Sequence, residues 1–164
     1  MGAVAHPNPR GHLTPMNTCE GISMADTGSM TTEEREAFLA DVHVGMLAIS
    51  EPGRGPLNLP IWYLYRDGVV LISIGGDTLK ARLLRAAGRA TMTVQTESAP
   101  YQYVSVEGPV TLTTGAPDQS ETATRYLGPE LGAWYTENNP ENGGSVTIAL
   151  TPEHWRTHDF AKML

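Results

Sequence analysis

The segment Gly75-Gly76-Asp77-Thr78-Leu79-Lys80 sets a hydroxyl and an ammonium beside a glycine pair, at the start of an amphipathic helical pattern. Backbone N–H groups and the positive end of the helix dipole point outward at such a start, which suits a bound phosphate. If Asp77 caps the helix, Lys80 sits in its first turn, where a cation is disfavoured by about 0.3–1 kcal/mol. A capping box would place Glu or Gln there. An anion at the helix end removes the conflict. The surrounding stretch is basic: Arg54, Arg66, Lys80, Arg82, Arg85 and Arg89 are opposed only by Asp67 and Asp77. These residues point to a holder of a phosphorylated cofactor.

A second group is aromatic: Trp62, Tyr63, Tyr65, Tyr101 and Tyr103. A flat conjugated ring needs an apolar slot with polar groups at its edges, and such a cluster can build one. His154 and His158 are four apart, which on a helix would place two imidazoles on one face for zinc. Pro152 precedes them, no acidic residue stands between them, and no third ligand is evident, so no metal site is expected. No GxSxG, GxxxxGK[ST] or GxGxxG pattern occurs, which removes the main support for serine-hydrolase, P-loop and Rossmann chemistry.

The elements that must position these groups follow from local pattern. Residues 1–30 carry Pro7, Pro9 and Pro15 without sustained periodicity, and read as a disordered tail. Thr31-x-x-Glu34 is a capping box for a helix that packs Phe38 and Leu39 inward. Val44–Ser50 reads as a strand. Leu57–Arg66 reads as a single strand covered on both faces, joined at Asp67-Gly68 to a strand over Val69–Ile74. The helix Thr78–Ala87 carries Leu79, Leu83 and Ala87 at four-residue spacing and ends at Gly88. Ala90–Glu97 and Tyr101–Thr113 alternate as strands, and Gly108-Pro109 suggests a bulge or edge. Helices over Pro117–Leu127 and Pro129–Glu137, a loop at 138–144, a strand Val146–Thr151, a helical turn at Pro152 and an extended His154–Phe160 complete the chain. This order predicts a mainly β fold, a split antiparallel barrel of about six strands with short helices across its ends.

The 164 residues make one domain, placed at 31–164 behind the tail. Cys19 is the only cysteine, so a CxxC-type metal or redox site is excluded. The net charge of −7 argues against a general nucleic-acid binder. No signal-peptide core or membrane-length run is evident, so the expectation is a cytoplasmic protein off the membrane.

Six segments together resemble the pyridoxamine-phosphate-oxidase-like flavin and deazaflavin oxidoreductases, most closely the branch using deazaflavin coenzyme F420. They are Val44-Gly45-Met46-Leu47-Ala48-Ile49, Pro60-Ile61-Trp62-Tyr63-Leu64-Tyr65, Asp77-Thr78-Leu79-Lys80-Ala81-Arg82-Leu83-Leu84, Tyr101-Gln102-Tyr103-Val104-Ser105-Val106-Glu107-Gly108, Arg125-Tyr126-Leu127-Gly128 and Thr151-Pro152-Glu153-His154-Trp155-Arg156. The resemblance implies a homodimer with its cofactor in an interface groove. It implies that Pro60, Ile61, Trp62 and Tyr63 run beside the ring and that Ile72, Ser73 and Ile74 line the same site. Thr78 and Lys80 would hold the phosphate. Leu79 stands where relatives often have Arg or Lys, and Leu83 where they often have Asn; Arg82 or Arg85 is left to take the missing charge.

The resulting expectation is an oxidoreductase that transfers a hydride from reduced coenzyme F420 to an unsaturated small molecule. The alternatives are an FMN-dependent relative and a non-catalytic flavin- or haem-binding protein, the latter with His43, His154 or His158 as axial ligand. No catalytic acid is assigned; Tyr63, Tyr103 and a bound water are the candidates.

Overall fold

The computed structural model describes residues 28–140 and 144–164. The tail expected over 1–30 falls outside them except at its end, as does part of the loop at 138–144. Contacts already begin at Gly28: its carbonyl accepts from Asp159 N at 2.7 Å, and Met30 N donates to Thr157 Oγ1 at 3.0 Å.

Among the described residues, eight strands and three α-helices follow in the order α1 (Thr32–Ala40), β1 (Gly45–Ile49), β2 (Leu57–Ile61), β3 (Leu64–Arg66), β4 (Val69–Gly75), α2 (Leu79–Ala87), β5 (Arg89–Gln95), β6 (Gln102–Thr114), α3 (Gln119–Asn138), β7 (Ser145–Leu150) and β8 (His154–Asp159). A short 3-10 helix, Phe160–Met163, ends the chain. All strand pairs are antiparallel. The mainly β split barrel holds, with two strands more than the six expected: the run Leu57–Arg66 breaks at Trp62-Tyr63 into β2 and β3, and the extended segment from His154 pairs with β6 as β8.

That break defines the architecture. The sheet runs β2-β1-β5-β6-β7-β4-β3, so the two strands flanking Trp62-Tyr63 are its opposite edges. A run that reads as one doubly covered strand is instead two edge strands meeting at a seam. Asn58 and Pro60 face outward on β2, as edge positions allow.

β6 belongs to both halves of the barrel. Its first part pairs with β5 and β8, and its second part, Val110–Thr114, pairs with β7. The expected alternation is present: Val104, Val106 and Val110 are buried, whereas Tyr103, Ser105 and Glu107 lie on the other face. At Gly108-Pro109 the ladder with β5 continues without a bulge, whereas on the other side the partner changes from β8 to β7 and residues 108–109 stand opposite three residues, 151–153. Gly108 pairs with Ala90 and Pro109 with Arg89. The 151–153 link stays alongside, with Thr151 N donating to Pro109 O and Glu153 N to Glu107 O. Those bonds hold 151–153 extended and leave no helical turn at Pro152. A Cβ on Gly108 would stand 1.9 Å from Thr151 O, so only glycine fits this crossing.

The core sits between the inner sheet face and the helices. Leu47, Ile49, Ile72, Met92, Val94, Val104, Ile148 and Leu150 meet Leu39 of α1 and Ala81 and Leu84 of α2. The capping box of α1 is formed, with Glu34 N donating to Thr31 Oγ1 at 3.2 Å and Thr31 N to Glu34 Oε2 at 2.7 Å. Helix α2 does not bury the Leu79–Leu83–Ala87 stripe as a unit. Ala81 and Leu84 are fully buried, Leu83 and Ala87 pack partly buried against the core, and Leu79, in the first turn, is 45% exposed. Gly88 ends α2 with φ 65°, as expected of a left-handed cap.

Two stability predictions follow from this packing. Gly108→Ala is expected to destabilise the fold by about 1–3 kcal/mol or more, because the clash is with backbone that cannot rotate away; a chemical denaturation midpoint equal to that of the unaltered protein would refute it. His43, in the turn between α1 and β1, stacks on Phe38 with centroids 4.4 Å apart. Burial holds its imidazole below the ordinary value of 6.5, with Asp41 partly opposing and Arg125 reinforcing the effect. The fold therefore favours the neutral ring. That contribution is complete above pH 6.5 and is lost as pH falls through the folded-state value. Melting temperature should drop on acidification from pH 7 before carboxylates titrate, and the drop should be smaller in His43→Asn.

Candidate functional site

A cavity of about 480 Å³ opens at the barrel seam between the ends of β2 and β4, the start of α2, and α3. One wall is Pro60, Ile61 and Trp62; the next is Ser73, Ile74 and Gly75, with Lys80 at that end. Gln119, Thr122, Ala123 and Tyr135 form the opposite wall, and Val44 lies at the side.

The cationic end is built by the turn into α2. Thr78, not Asp77, is the N-cap, and its hydroxyl is used twice: it donates to Gly75 O at 2.7 Å and accepts from Ala81 N at 3.3 Å. Gly76 lies against the strand that follows α3, its N–H donating to Gly144 O at 2.5 Å; a Cβ there would stand 2.6 Å from the same oxygen. With Thr78 N donating to Gly75 O, and Ala81 N taken by the cap, the N–H groups of Leu79 and Lys80 have no partner among the described residues. These are the orphan donors of a helix start. Lys80 therefore brings its ammonium and its N–H to the same place.

The basic window divides in two. Arg54 pairs with Glu51, Arg66 with Asp118 and Glu121, and Arg89 with Glu107 and Glu153. Lys80, Arg82 and Arg85 form no ion pair among the described residues. Arg82 reaches only Asp77 O at 3.5 Å, and Arg85 donates to Gly76 O at 2.7 Å. The unneutralised cations are those of α2.

The other wall depends on α3. Gly128, at φ 78° and ψ 172°, breaks this helix into two arms, 119–127 and 129–138, as the expectation of two helices anticipated. The arms fold against each other. Gln119 Nε2 donates to Asn139 O at 2.8 Å, and a Cβ on Gly132 would stand 2.7 Å from Thr124 Cα. The first arm is tied to the β3–β4 hairpin through Arg66, whose contacts with Glu121 and Asp118 are 2.6 and 3.2 Å. It is also tied to the end of α1 through Arg125, which donates to Asp41 O.

At the seam, Tyr126 takes the place of a missing ladder. Its hydroxyl accepts from Tyr63 N at 3.2 Å and donates its proton where His43 O (2.7 Å) and Tyr63 O (3.2 Å) converge. Its ring stacks on Trp62 at 5.1 Å and 5°. Tyr135 meets the same indole at 5.7 Å, tilted by 57°. Burial pushes the Tyr126 hydroxyl above its ordinary range, so it stays protonated as a donor.

Of the residues expected at a site, Pro60, Ile61, Trp62, Ser73, Ile74 and Lys80 come together around the cavity. Tyr63 and Ile72 are fully buried in the core. Tyr63 donates its hydroxyl to Leu39 O at 3.0 Å, and burial raises its pKa strongly. Thr78 acts as the cap, and Arg82 is exposed beside it. Neither Tyr63 nor Tyr103 lines the cavity; Tyr103 stacks on His158 at 6.3 Å. His154 and His158 lie on β8 rather than on a helix, so their four-residue separation spans about 13 Å. No group of three metal-binding side chains occurs among the described residues. Gln119, Thr122, Ala123 and Tyr135 carried no local sequence signal, because their place on the wall depends on how α3 folds over the seam.

Among solved structures, the chain resembles a conserved hypothetical protein of Mycobacterium tuberculosis, with a TM-score of 0.69 and 21% identity, covering 84% of this chain and 90% of that one. A structure described as an F420 reductase superposes with a TM-score of 0.60 at 25% identity, covering 73% of this chain and 94% of that one. An FAD-binding protein of Mesorhizobium loti gives 0.58 at 17% identity, covering 78% and 95%. No curated protein matches the chain. The profile of the pyridoxamine 5'-phosphate oxidase family spans residues 31–159, which takes in every strand of the barrel and each wall of the cavity. By that match, and by the split barrel it shares with these structures, the chain belongs to the pyridoxamine 5'-phosphate oxidase family.

Proposed function

We propose that this protein is an oxidoreductase that transfers a hydride from reduced deazaflavin coenzyme F420 to an unsaturated small molecule, and that it acts as a homodimer. The observation that carries the reading is the cavity's polarity. It runs from the aromatic wall at Trp62 and Tyr135 to Lys80, with Arg82 and Arg85 beyond and, among the described residues, no carboxylate paired to any of the three. A planar ring suits the apolar part and a phosphate the cationic end. The deazaflavin coenzyme carries an acidic glutamate tail after its phosphate, which gives Arg82 and Arg85 a role that a single phosphate does not. The neighbour described as an F420 reductase supports the same choice.

The residues present fit such a group. Lys80 and the free N–H groups of Leu79 and Lys80 would hold the phosphate. Pro60, Ile61 and Ile74 would flank the ring, and β2, as an edge strand, offers unpaired backbone groups to read the ring's polar rim. When bound, the coenzyme supplies the hydride chemistry. The chain's own part is to orient the ring, exclude water from the slot and neutralise the anionic end. Val44 (49% exposed), Met46 (37%) and Leu79 (45%) leave apolar surface near the cavity mouth, which agrees with closure by a second copy. FMN is the alternative ligand in the same cavity, favoured by the flavin-binding neighbour.

Titration of the purified protein with both coenzymes at low and moderate salt decides between them. Coenzyme F420 is expected to bind more tightly, with affinity falling as salt rises. Tight FMN binding with none for the deazaflavin would overturn the choice. In the same assay, Lys80→Ala should weaken the preferred coenzyme by about 1.5–3 kcal/mol, roughly tenfold or more, with an unchanged melting temperature. Unaltered affinity would remove Lys80 from the site.

A further inference from the structure

The geometry points to Tyr126 as a positioning residue that fixes the plane of Trp62 and thereby makes the cavity selective for flat conjugated rings. This inference rests on the functional reading above only for the identity of the ring. Trp62 and Tyr135 line the cavity, whereas Tyr126 does not. Tyr126 acts from behind: its ring lies parallel to the indole at 5.1 Å, while Tyr135 approaches the same indole at a tilt. The indole is thus held by one aromatic ring and flanked by another.

Trp62 needs such support because of where it stands. It lies in the two-residue gap between edge strands, where β pairing has stopped and no ladder fixes the backbone. The hydroxyl of Tyr126 supplies the missing partners, bonding Tyr63 N and reaching the carbonyls of Tyr63 and His43. One side chain therefore fixes both the backbone of the gap and the orientation of the ring that projects from it. Tyr126 is itself fixed, since the neighbouring Arg125 is tied to Asp41 O and the first arm of α3 to Arg66. A wall held flat favours a ligand with a planar π-face and disfavours one with puckered or branched bulk.

The test uses the full chain carrying Trp134→Phe and Trp155→Phe, so that Trp62 is the sole indole. Tyr126→Phe keeps the ring and removes the hydroxyl; Tyr126→Leu removes both. Three readouts are taken: Trp62 emission with acrylamide quenching, affinity for FMN and coenzyme F420, and affinity for inorganic pyrophosphate, which has no ring. Quenching of Trp62 is expected to increase in the order parent, Phe, Leu. Affinity for the ring-bearing ligand should fall in the same order, by about 2- to 10-fold on losing the stack. Pyrophosphate affinity should stay the same in all three, a split that general loss of structure would not produce. The proposal is overturned if Tyr126→Leu, folded by its melting curve, keeps ring affinity and quenching unchanged, or if pyrophosphate weakens by the same factor as the ring ligand. If the parent binds neither coenzyme, the functional reading fails by itself; Trp62 quenching then decides the positioning role, an increase in the Leu variant supporting it and no change refuting it.

Discussion

No backbone ladder joins β2 to β3 among the described residues, and the candidate site is organised about that interruption. β2 and β3 are the two ends of the strand order and are also consecutive in the chain, so the sheet closes through two residues rather than through a ladder. A buried backbone N–H or C=O without a partner costs about 1–3 kcal/mol. At Tyr63 that cost is offset by a phenol from α3. The opening left by the absent ladder is the cavity, so the same defect in pairing that requires a patch also provides a place for a ligand.

The walls of that opening have different characters because they come from different kinds of structure. The α2 end is made of backbone dipole and cations, arranged locally over Gly75 to Lys80. Its parts are close in sequence, and its geometry depends on one cap and two glycines. The α3 wall is made of side chains brought from far along the chain, and it depends on a positive φ at Gly128 and on several long-range tethers. Under the proposed function, the local element would take the phosphate and the remote element the ring.

The legible features of the sequence were those fixed within a few residues. The capping box at Thr31–Glu34, the hairpin at Asp67-Gly68, the stop at Gly88 and the alternation through Val104, Val106 and Val110 each state their structure locally, and each is present. The cationic turn was visible for the same reason. What pattern alone concealed was which strands are neighbours. An apolar run such as Ile61–Tyr65 looks the same whether it crosses the middle of a sheet or joins its two edges. Leu79 is exposed where the pattern places it inward, because a four-residue stripe marks a helix face but the face that meets the sheet is centred on Ala81 and Leu84. Tyr126 lies within one of the segments that carry the family resemblance, yet its task depends on backbone groups more than sixty residues away.

The two arms of α3 meet at Gly132. With no side chain between them, the arms touch backbone to backbone, and the second arm carries Tyr135, which meets the Trp62 indole. A side chain at position 132 would meet the backbone of Thr124, with a Cβ standing 2.7 Å from its Cα, so the two arms keep this spacing only with glycine there. Gly132 thus belongs to the architecture of the α3 wall without lining the cavity itself.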